Sequence, residues 1–156
     1  MGIGRDPYEA FYKAFLTAYG KRKKSILFSL NDYDKKYLDE LSEELLNGFE
    51  IYATEGTANY LMKLGVKSNI AYRLKEKKKP TIYSLIEDGK IGYVINTPSR
   101  SYVSQSDGYK IRRFAVDFGV PVITNMRVAK FLIRSINLYD KNYLLYPFNK
   151  FSKVNY

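Results

Sequence analysis

Apolar residues recur along this chain with two spacings, which alternate from one end to the other. Positions three or four apart, such as Phe11 and Phe15 in segment 7–20, predict amphipathic helices. Short continuous apolar runs between turn residues predict buried strands. The predicted helices are 7–20, 31–48, 57–65, 81–90, 107–119 and 126–136, and the predicted strands are 25–30, 49–54, 68–74, 91–96 and 120–125.

The order of these elements predicts the fold class. Asp6 and Pro7 have the residue types that favour a helix start, and Gly20 is a typical helix stop. Strand and helix then alternate over short connections, which is typical of a parallel sheet with helices on both faces. We therefore predict an α/β fold, a single three-layer domain in which helices flank a five-stranded parallel sheet.

Composition limits the classes of function. The chain has 156 residues, which is the size of one domain, and no apolar run reaches the roughly 20 residues of a membrane helix. Its first ten residues lack the order of a signal peptide, so a cytoplasmic protein without membrane association is expected. The absence of cysteine and histidine excludes thiolate nucleophiles, disulfides and histidine-dependent triads. No catalytic residue, metal or cofactor is predicted.

The formal net charge of +10 predicts attraction to anions, although a solvated lysine-rich surface would give the same charge. The densest basic runs are 21–24 and 75–80. Sixteen tyrosines and nine phenylalanines could stack on bases, but they are spread along the chain and do not interleave with the basic runs. No specific nucleic-acid partner is therefore expected.

Polar residues follow each predicted strand, and the carboxyl ends of parallel strands meet at one edge of the sheet. Hydroxyls, amides, cations and helix N-termini are thereby gathered at that edge, as a phosphate site requires. Each threonine or asparagine is, taken singly, also an ordinary cap or turn residue. From the residues alone we predict an anionic small-molecule site. The residues concerned are Asn31, Asp32, Asp34, Lys35, Thr54, Glu55, Gly56, Thr57, Arg73, Lys75, Asn96, Thr97, Pro98, Ser99, Arg100, Thr124 and Asn125.

Three segments carry a resemblance to a known family: 53–66 (ATEGTANYLMKLGV), 80–99 (PTIYSLIEDGKIGYVINTPS) and 107–124 (DGYKIRRFAVDFGVPVIT). They resemble the methylglyoxal-synthase-like (MGS-like) domain that ends the large subunit of carbamoyl-phosphate synthase. Segment 1–20 resembles the end of the preceding ATP-grasp synthetase unit. The resemblance implies a division into an N-terminal helix in 1–20, an effector-binding domain in 21–136 and an aromatic tail in 137–156.

The resemblance implies allosteric regulation. Such domains bind phosphorylated effectors, for example UMP or IMP, and tune the synthetase portion, the expected partner, in pyrimidine and arginine biosynthesis. By motif position, the implied effector-binding residues are Lys35, Thr54, Thr57, Arg73, Asn96, Thr97 and Ser29.

The chain departs from the family at some positions. Segment 75–80 (KEKKKP) replaces a "HEGRP"-like loop, Arg73 stands where many members have lysine, and Pro98 where some have threonine. The extra lysines would favour a more highly phosphorylated effector, such as a nucleoside triphosphate or phosphoribosyl pyrophosphate. Methylglyoxal synthase shares this fold but relies on a histidine and a "GGDQQ"-like motif, neither of which is present here.

The chain is not expected to make carbamoyl phosphate alone, because it lacks the ATP-grasp units and a glutaminase cysteine. It is expected to be a split subunit or an excised domain of the synthetase. The alternatives are a stand-alone phosphate-ligand-binding protein and, less favoured, a methylglyoxal-synthase-type lyase. The helix 7–19 and the tail would either dock on a synthetase partner or pack on their own domain.

Overall fold

The computed structural model describes residues 2–98 and 107–140. Five parallel strands form one sheet in the order β3–β2–β1–β4–β5, which confirms the predicted fold class. Central β1 is in register with both neighbours, so that Leu27 is paired with Tyr52 on one side and Val94 on the other. The strands are β1 (Ser25–Ser29), β2 (Glu50–Ala53), β3 (Asn69–Ile70), β4 (Tyr93–Asn96) and β5 (Val122–Ile123).

Six α-helices and two 3₁₀ helices surround the sheet in the described part of the chain. One face is covered by α1, α2, α3, α6 and the first 3₁₀ helix, and the other by α4 and α5. Alternate strand residues therefore enter two separate cores, with Phe28 in the first and Leu27 in the second. The helices are α1 (Pro7–Tyr19), α2 (Ser42–Leu46), α3 (Glu55–Lys63), α4 (Ile82–Glu87), α5 (Asp107–Asp117) and α6 (Met126–Tyr139), and the 3₁₀ helices are Lys35–Leu41 and Leu74–Glu76.

Several boundaries differ from the sequence prediction. The predicted helix 31–48 begins with a turn. The Asn31 side chain accepts a hydrogen bond from the Asp34 amide at 3.0 Å, and this bond stabilises the turn in place of a first helical turn. A 3₁₀ helix then precedes the short α2. The helix predicted from residue 57 begins two residues earlier, since Thr54 is the N-cap residue of α3.

The N-terminal helix packs on the last helix of the domain. Asp6 caps α1 by accepting hydrogen bonds from the amides of Tyr8 and Glu9, and the Tyr8 ring stacks on Phe131 at 4.4 Å. Tyr12 is buried and donates a hydrogen bond of 2.8 Å to Asp140. The division at residues 20 and 136 stays a prediction, and most of the predicted tail lies outside the described residues. No helix within residues 2–98 and 107–140 is both long and apolar enough to cross a bilayer.

Two leucines on α6 test how much the packing of this helix on the sheet contributes to stability. Leu132 is 1% exposed and Leu138 is 53% exposed. We expect Leu132→Ala to lower the free energy of unfolding by about 2–5 kcal/mol, because it leaves a cavity in the core. Leu138→Ala, the control on the same helix, should change it by less than about 0.5 kcal/mol. Urea unfolding followed by circular dichroism measures both, and equal effects would contradict the observed packing of α6.

Asp140 makes stability depend on pH. Burial raises the pKa of its carboxyl, but the Tyr12 hydrogen bond and the charges of Lys24 and Lys21 outweigh burial and bring the pKa below its ordinary value. A carboxyl whose pKa is lower in the folded state stabilises the fold above its unfolded-state pKa, and this contribution is lost as the pH falls. We expect the stability difference between the native chain and Asp140→Asn to shrink from about pH 5 to about pH 2. Thermal unfolding across this range measures it, and a constant difference would contradict this role of Asp140.

Candidate functional site

A pocket of about 520 Å³ opens at the carboxyl ends of β1, β2 and β3. The segment after β1 contributes Asn31, Asp32 and Lys35, among others. The β2–α3 turn contributes residues 54–57, and Arg73 and Glu76 follow β3. The topology therefore brings together three loops that are separated along the chain, as expected for a parallel sheet.

The N-terminus of α3 leaves polar groups open to this pocket. Thr54 makes no side-chain capping hydrogen bond, and the amides of Glu55 and Gly56 donate to no other described residue. Thr57 is buried, and its hydroxyl oxygen accepts a hydrogen bond of 3.2 Å from the Leu30 amide. The Thr54 hydroxyl lies 3.4 Å from that oxygen. Free amides at a helix N-terminus carry partial positive charge and favour anions.

Two cations line the same pocket. Lys35 Nζ lies 2.5 Å from an Asp32 carboxylate oxygen, and this hydrogen bond and charge hold the pKa of Asp32 below its ordinary value. A Cβ atom on Gly56 would lie 3.3 Å from Lys35 Nζ, so the ammonium group sits against the start of α3.

One hydrogen-bond donor of Arg73 lacks an acceptor among the described residues. Its Nε atom is buried without a hydrogen-bond partner among the described residues, while its backbone amide donates to Glu76 at 2.6 Å. Buried donors in proteins are normally paired, so an unpaired guanidinium nitrogen on a pocket-lining residue indicates a missing acceptor. A ligand oxygen would supply one.

The other three predicted site residues lie beside this pocket and do not line it. Ser29, Asn96 and Thr97 are buried where β1 and β4 end. The Thr97 hydroxyl oxygen accepts a hydrogen bond from the Asn31 amide at 3.0 Å, and Asn96 Oδ1 accepts one from Arg112 at 2.6 Å. The structure thus brings Lys35, Thr54, Thr57 and Arg73 together in the pocket. Asn96 and Thr97 instead lie outside the pocket lining and make hydrogen bonds to other residues of the protein. Ser99 and Arg100, also named from the sequence, lie outside the described residues.

Comparison with known proteins identifies the family. Residues 38–124 match the family model described as the MGS-like domain. The chain belongs to the MGS-like domain family. This confirms the resemblance seen in the sequence, and the parallel sheet with helices on both faces is consistent with it.

Relatives of this MGS-like domain are carbamoyl phosphate synthase large chains. That of Thermoplasma volcanium is 41% identical over 128 residues, which cover 78% of this chain and 12% of the relative. The large chain, C-terminal section, of Methanocaldococcus jannaschii is 39% identical over 139 residues, covering 87% of this chain and 22% of the relative. That of Methanopyrus kandleri is 36% identical, covering 88% and 26%. The domain thus spans about a quarter or less of these relatives.

The lysine-rich loop 75–80 lies mostly outside the pocket. None of its lysines lines the pocket among the described residues: Lys75 pairs with Asp107 at 2.6 Å, and residues 77–79 are exposed. The loop contributes Glu76 to the pocket lining, a residue that was not among the predicted site residues. Glu76 lies three residues after Arg73, which is the spacing at which an acidic side chain caps the start of a helical turn. This spacing could have identified Glu76 from the sequence. Arg112 was also missed, since no local pattern connects it with Asn96.

Thr57 supports the site as well as lining it. Thr57→Val removes the acceptor of the Leu30 amide and leaves a buried donor unpaired, so we expect a loss of about 1–3 kcal/mol in the free energy of unfolding. Thr57→Ser keeps the hydroxyl and should restore most of the loss. Urea unfolding of the three proteins measures the difference. Equal stability of the valine and serine variants would show that this hydrogen bond is not needed.

Proposed function

We propose that this MGS-like domain binds a phosphorylated small-molecule effector, of the UMP or IMP class, in the pocket at the carboxyl ends of β1, β2 and β3. The observation that carries the proposal is the Nε atom of Arg73, a residue of the pocket lining: this atom is buried, and no described residue accepts a hydrogen bond from it. The amides of Glu55 and Gly56, which have no partner among the described residues, lie in the same lining and can donate hydrogen bonds to a ligand.

A single phosphate group fits these donors. Its oxygens would accept hydrogen bonds from the two amides at the start of α3 and from Thr54, while Lys35 and Arg73 neutralise its charge. Lys35 would turn in part from Asp32 to the phosphate. Its ion pair with Asp32 is weak enough for this, because the Asp32 side chain is 90% exposed to solvent.

The carboxylates of the lining favour a ligand with few phosphates and several hydroxyl groups. Among the described residues, the carboxylates of Asp32, Glu55 and Glu76 line the pocket together with two cationic side chains. Carboxylates accept hydrogen bonds from the hydroxyl groups of a sugar and repel additional phosphates. The pocket therefore supports a sugar monophosphate or nucleoside monophosphate better than the triphosphate that the lysine-rich loop had suggested.

We further propose that the domain works with the synthetase portion of a carbamoyl phosphate synthase, either within one chain or as a separate subunit. The support is its membership of the MGS-like family together with the names of its relatives, three of which are C-terminal sections of the large chain. Effector binding would then adjust the rate at which the synthetase makes carbamoyl phosphate for pyrimidine and arginine biosynthesis.

Ligand-induced stabilisation tests the binding step. At a free ligand concentration of a hundred times the dissociation constant, we expect about 2.7 kcal/mol of stabilisation. At about 2–4 °C per kcal/mol, this raises the melting temperature by roughly 5–11 °C. UMP, IMP, UTP, phosphoribosyl pyrophosphate and N-acetylglutamate are compared by thermal shift and calorimetry. Arg73→Gln should weaken binding roughly 10- to 100-fold, since it removes a charged donor.

Lys63→Gln is the matched control, because it removes one positive charge at the exposed far end of α3, outside the pocket. Equal losses in the two variants would place the ligand elsewhere. Binding without any change in carbamoyl phosphate synthesis by the added synthetase portion would favour the stand-alone binding protein. Formation of methylglyoxal and phosphate from dihydroxyacetone phosphate would favour a lyase.

A further inference from the structure

A second cavity, of about 640 Å³, lies along the seam between α3 and the edge strand β3. We call it the α3–β3 groove. It shares no lining residue with the pocket at the carboxyl ends of the strands. Half of its lining is apolar, and one of these side chains, Met62, is 70% exposed. The apolar lining consists of Phe49, Ile51, Ala58, Met62, Val66 and Ile70.

The described chain ends beside the mouth of this groove. Asp140 follows α6, and its carboxylate lies 3.5 Å from Lys24 Nζ. The same ammonium group lies 5.7 Å from the centre of the Phe49 ring, which lines the groove. A single lysine side chain therefore bridges the end of α6 and the groove.

The sequence that follows Asp140 has the composition of an apolar ligand. Lys141 and Asn142 are followed by the segment 143–148, YLLYPF, in which every residue is aromatic, aliphatic or proline. An extended chain advances roughly 3.3 Å per residue, so three residues after Asp140 can span about 10 Å, which is enough to reach the mouth of the groove. Six extended residues span about 20 Å, more than the roughly 14 Å length of a nine-residue helix such as α3.

We propose that residues 143–148 dock in the α3–β3 groove of the same chain. Docking covers Met62 and the apolar lining, and it removes the tyrosine, leucine and phenylalanine side chains of the segment from water. The segment itself is the favoured occupant because a tether of two residues keeps it at an effective concentration of the order of millimolar, which a second copy does not reach in dilute solution. The proposal does not depend on the proposed effector, which binds at other residues.

Disulfide trapping in the full chain tests the proposal, since the protein has no cysteine of its own. We expect Met62→Cys with Leu145→Cys to form an intramolecular disulfide at a rate that does not change with protein concentration. Tyr19→Cys with Leu145→Cys is the control. Tyr19 is 44% exposed and lies two residues before Lys21, which pairs with Asp140, so it is within reach of the segment but outside the groove.

Oxidation of Met62 provides an independent readout that needs no cysteine. Peroxide oxidation of Met62 in the native chain is compared by mass spectrometry with that in Leu144→Ser/Leu145→Ser, because neighbouring residues of an extended segment face opposite sides. Buried Met126 is the internal control for unfolding. We expect roughly tenfold slower oxidation in the native chain, equivalent to about 1.4 kcal/mol of docking free energy.

Three results would overturn the proposal. Equal Met62 oxidation rates in the two chains would mean that the groove is not covered by this segment. Disulfide-linked dimers whose yield rises with protein concentration would mean that a second copy occupies it. Equal yields from the Met62 and Tyr19 pairs would mean that the segment has no preferred site.

Discussion

The packing of β1 is the constraint on which the rest of the structure depends. All five residues of this strand are buried, and it pairs with β2 on one side and with β4 on the other. Its neighbouring side chains Leu27 and Phe28 are fully buried in two different cores. A shift of this strand by one residue would move every side chain into the opposite core and change its pairing with both neighbours, so its register constrains the elements packed on it.

The position of β1 also decides where polar groups can meet. Because all strands run parallel, the turn after β2, the segment after β1 and the residues after β3 reach the same edge. The pocket combines groups that no short segment of the chain contains: helix amides, a lysine held near Gly56, and an arginine with an unpaired nitrogen. Its cations and carboxylates nearly balance, although the chain as a whole carries a charge of +10. Much of the remaining positive charge therefore acts elsewhere on the surface.

Ion pairs between distant elements mean that the net charge of the chain does not give the charge of a particular site. Lys75 is held by Asp107, and Arg134 on α6 by Glu44 on α2 at 2.8 Å. Such pairs use lysines and arginines to join elements. The number of basic residues in a segment consequently says little about how many of them face a ligand, and the acidic Glu76 in the lysine-rich loop is an example.

The sequence by itself determined the fold class, the order of strands and helices, and the family, because hydrophobic spacing, caps and motifs are local and each is encoded within a few neighbouring residues. It also predicted that Lys35, Thr54, Thr57 and Arg73 lie at one edge of the sheet, because residues that follow parallel strands share an edge, and the structure places all four in the lining of one pocket. Only the tertiary structure decided that Asn96 faces Arg112, that Asn31 begins a turn and not a helix, and that the described chain ends next to the α3–β3 groove. These features depend on the rotation of each helix about its axis and on contacts between residues far apart in the chain. Both are set by how the two cores pack, which no local pattern records.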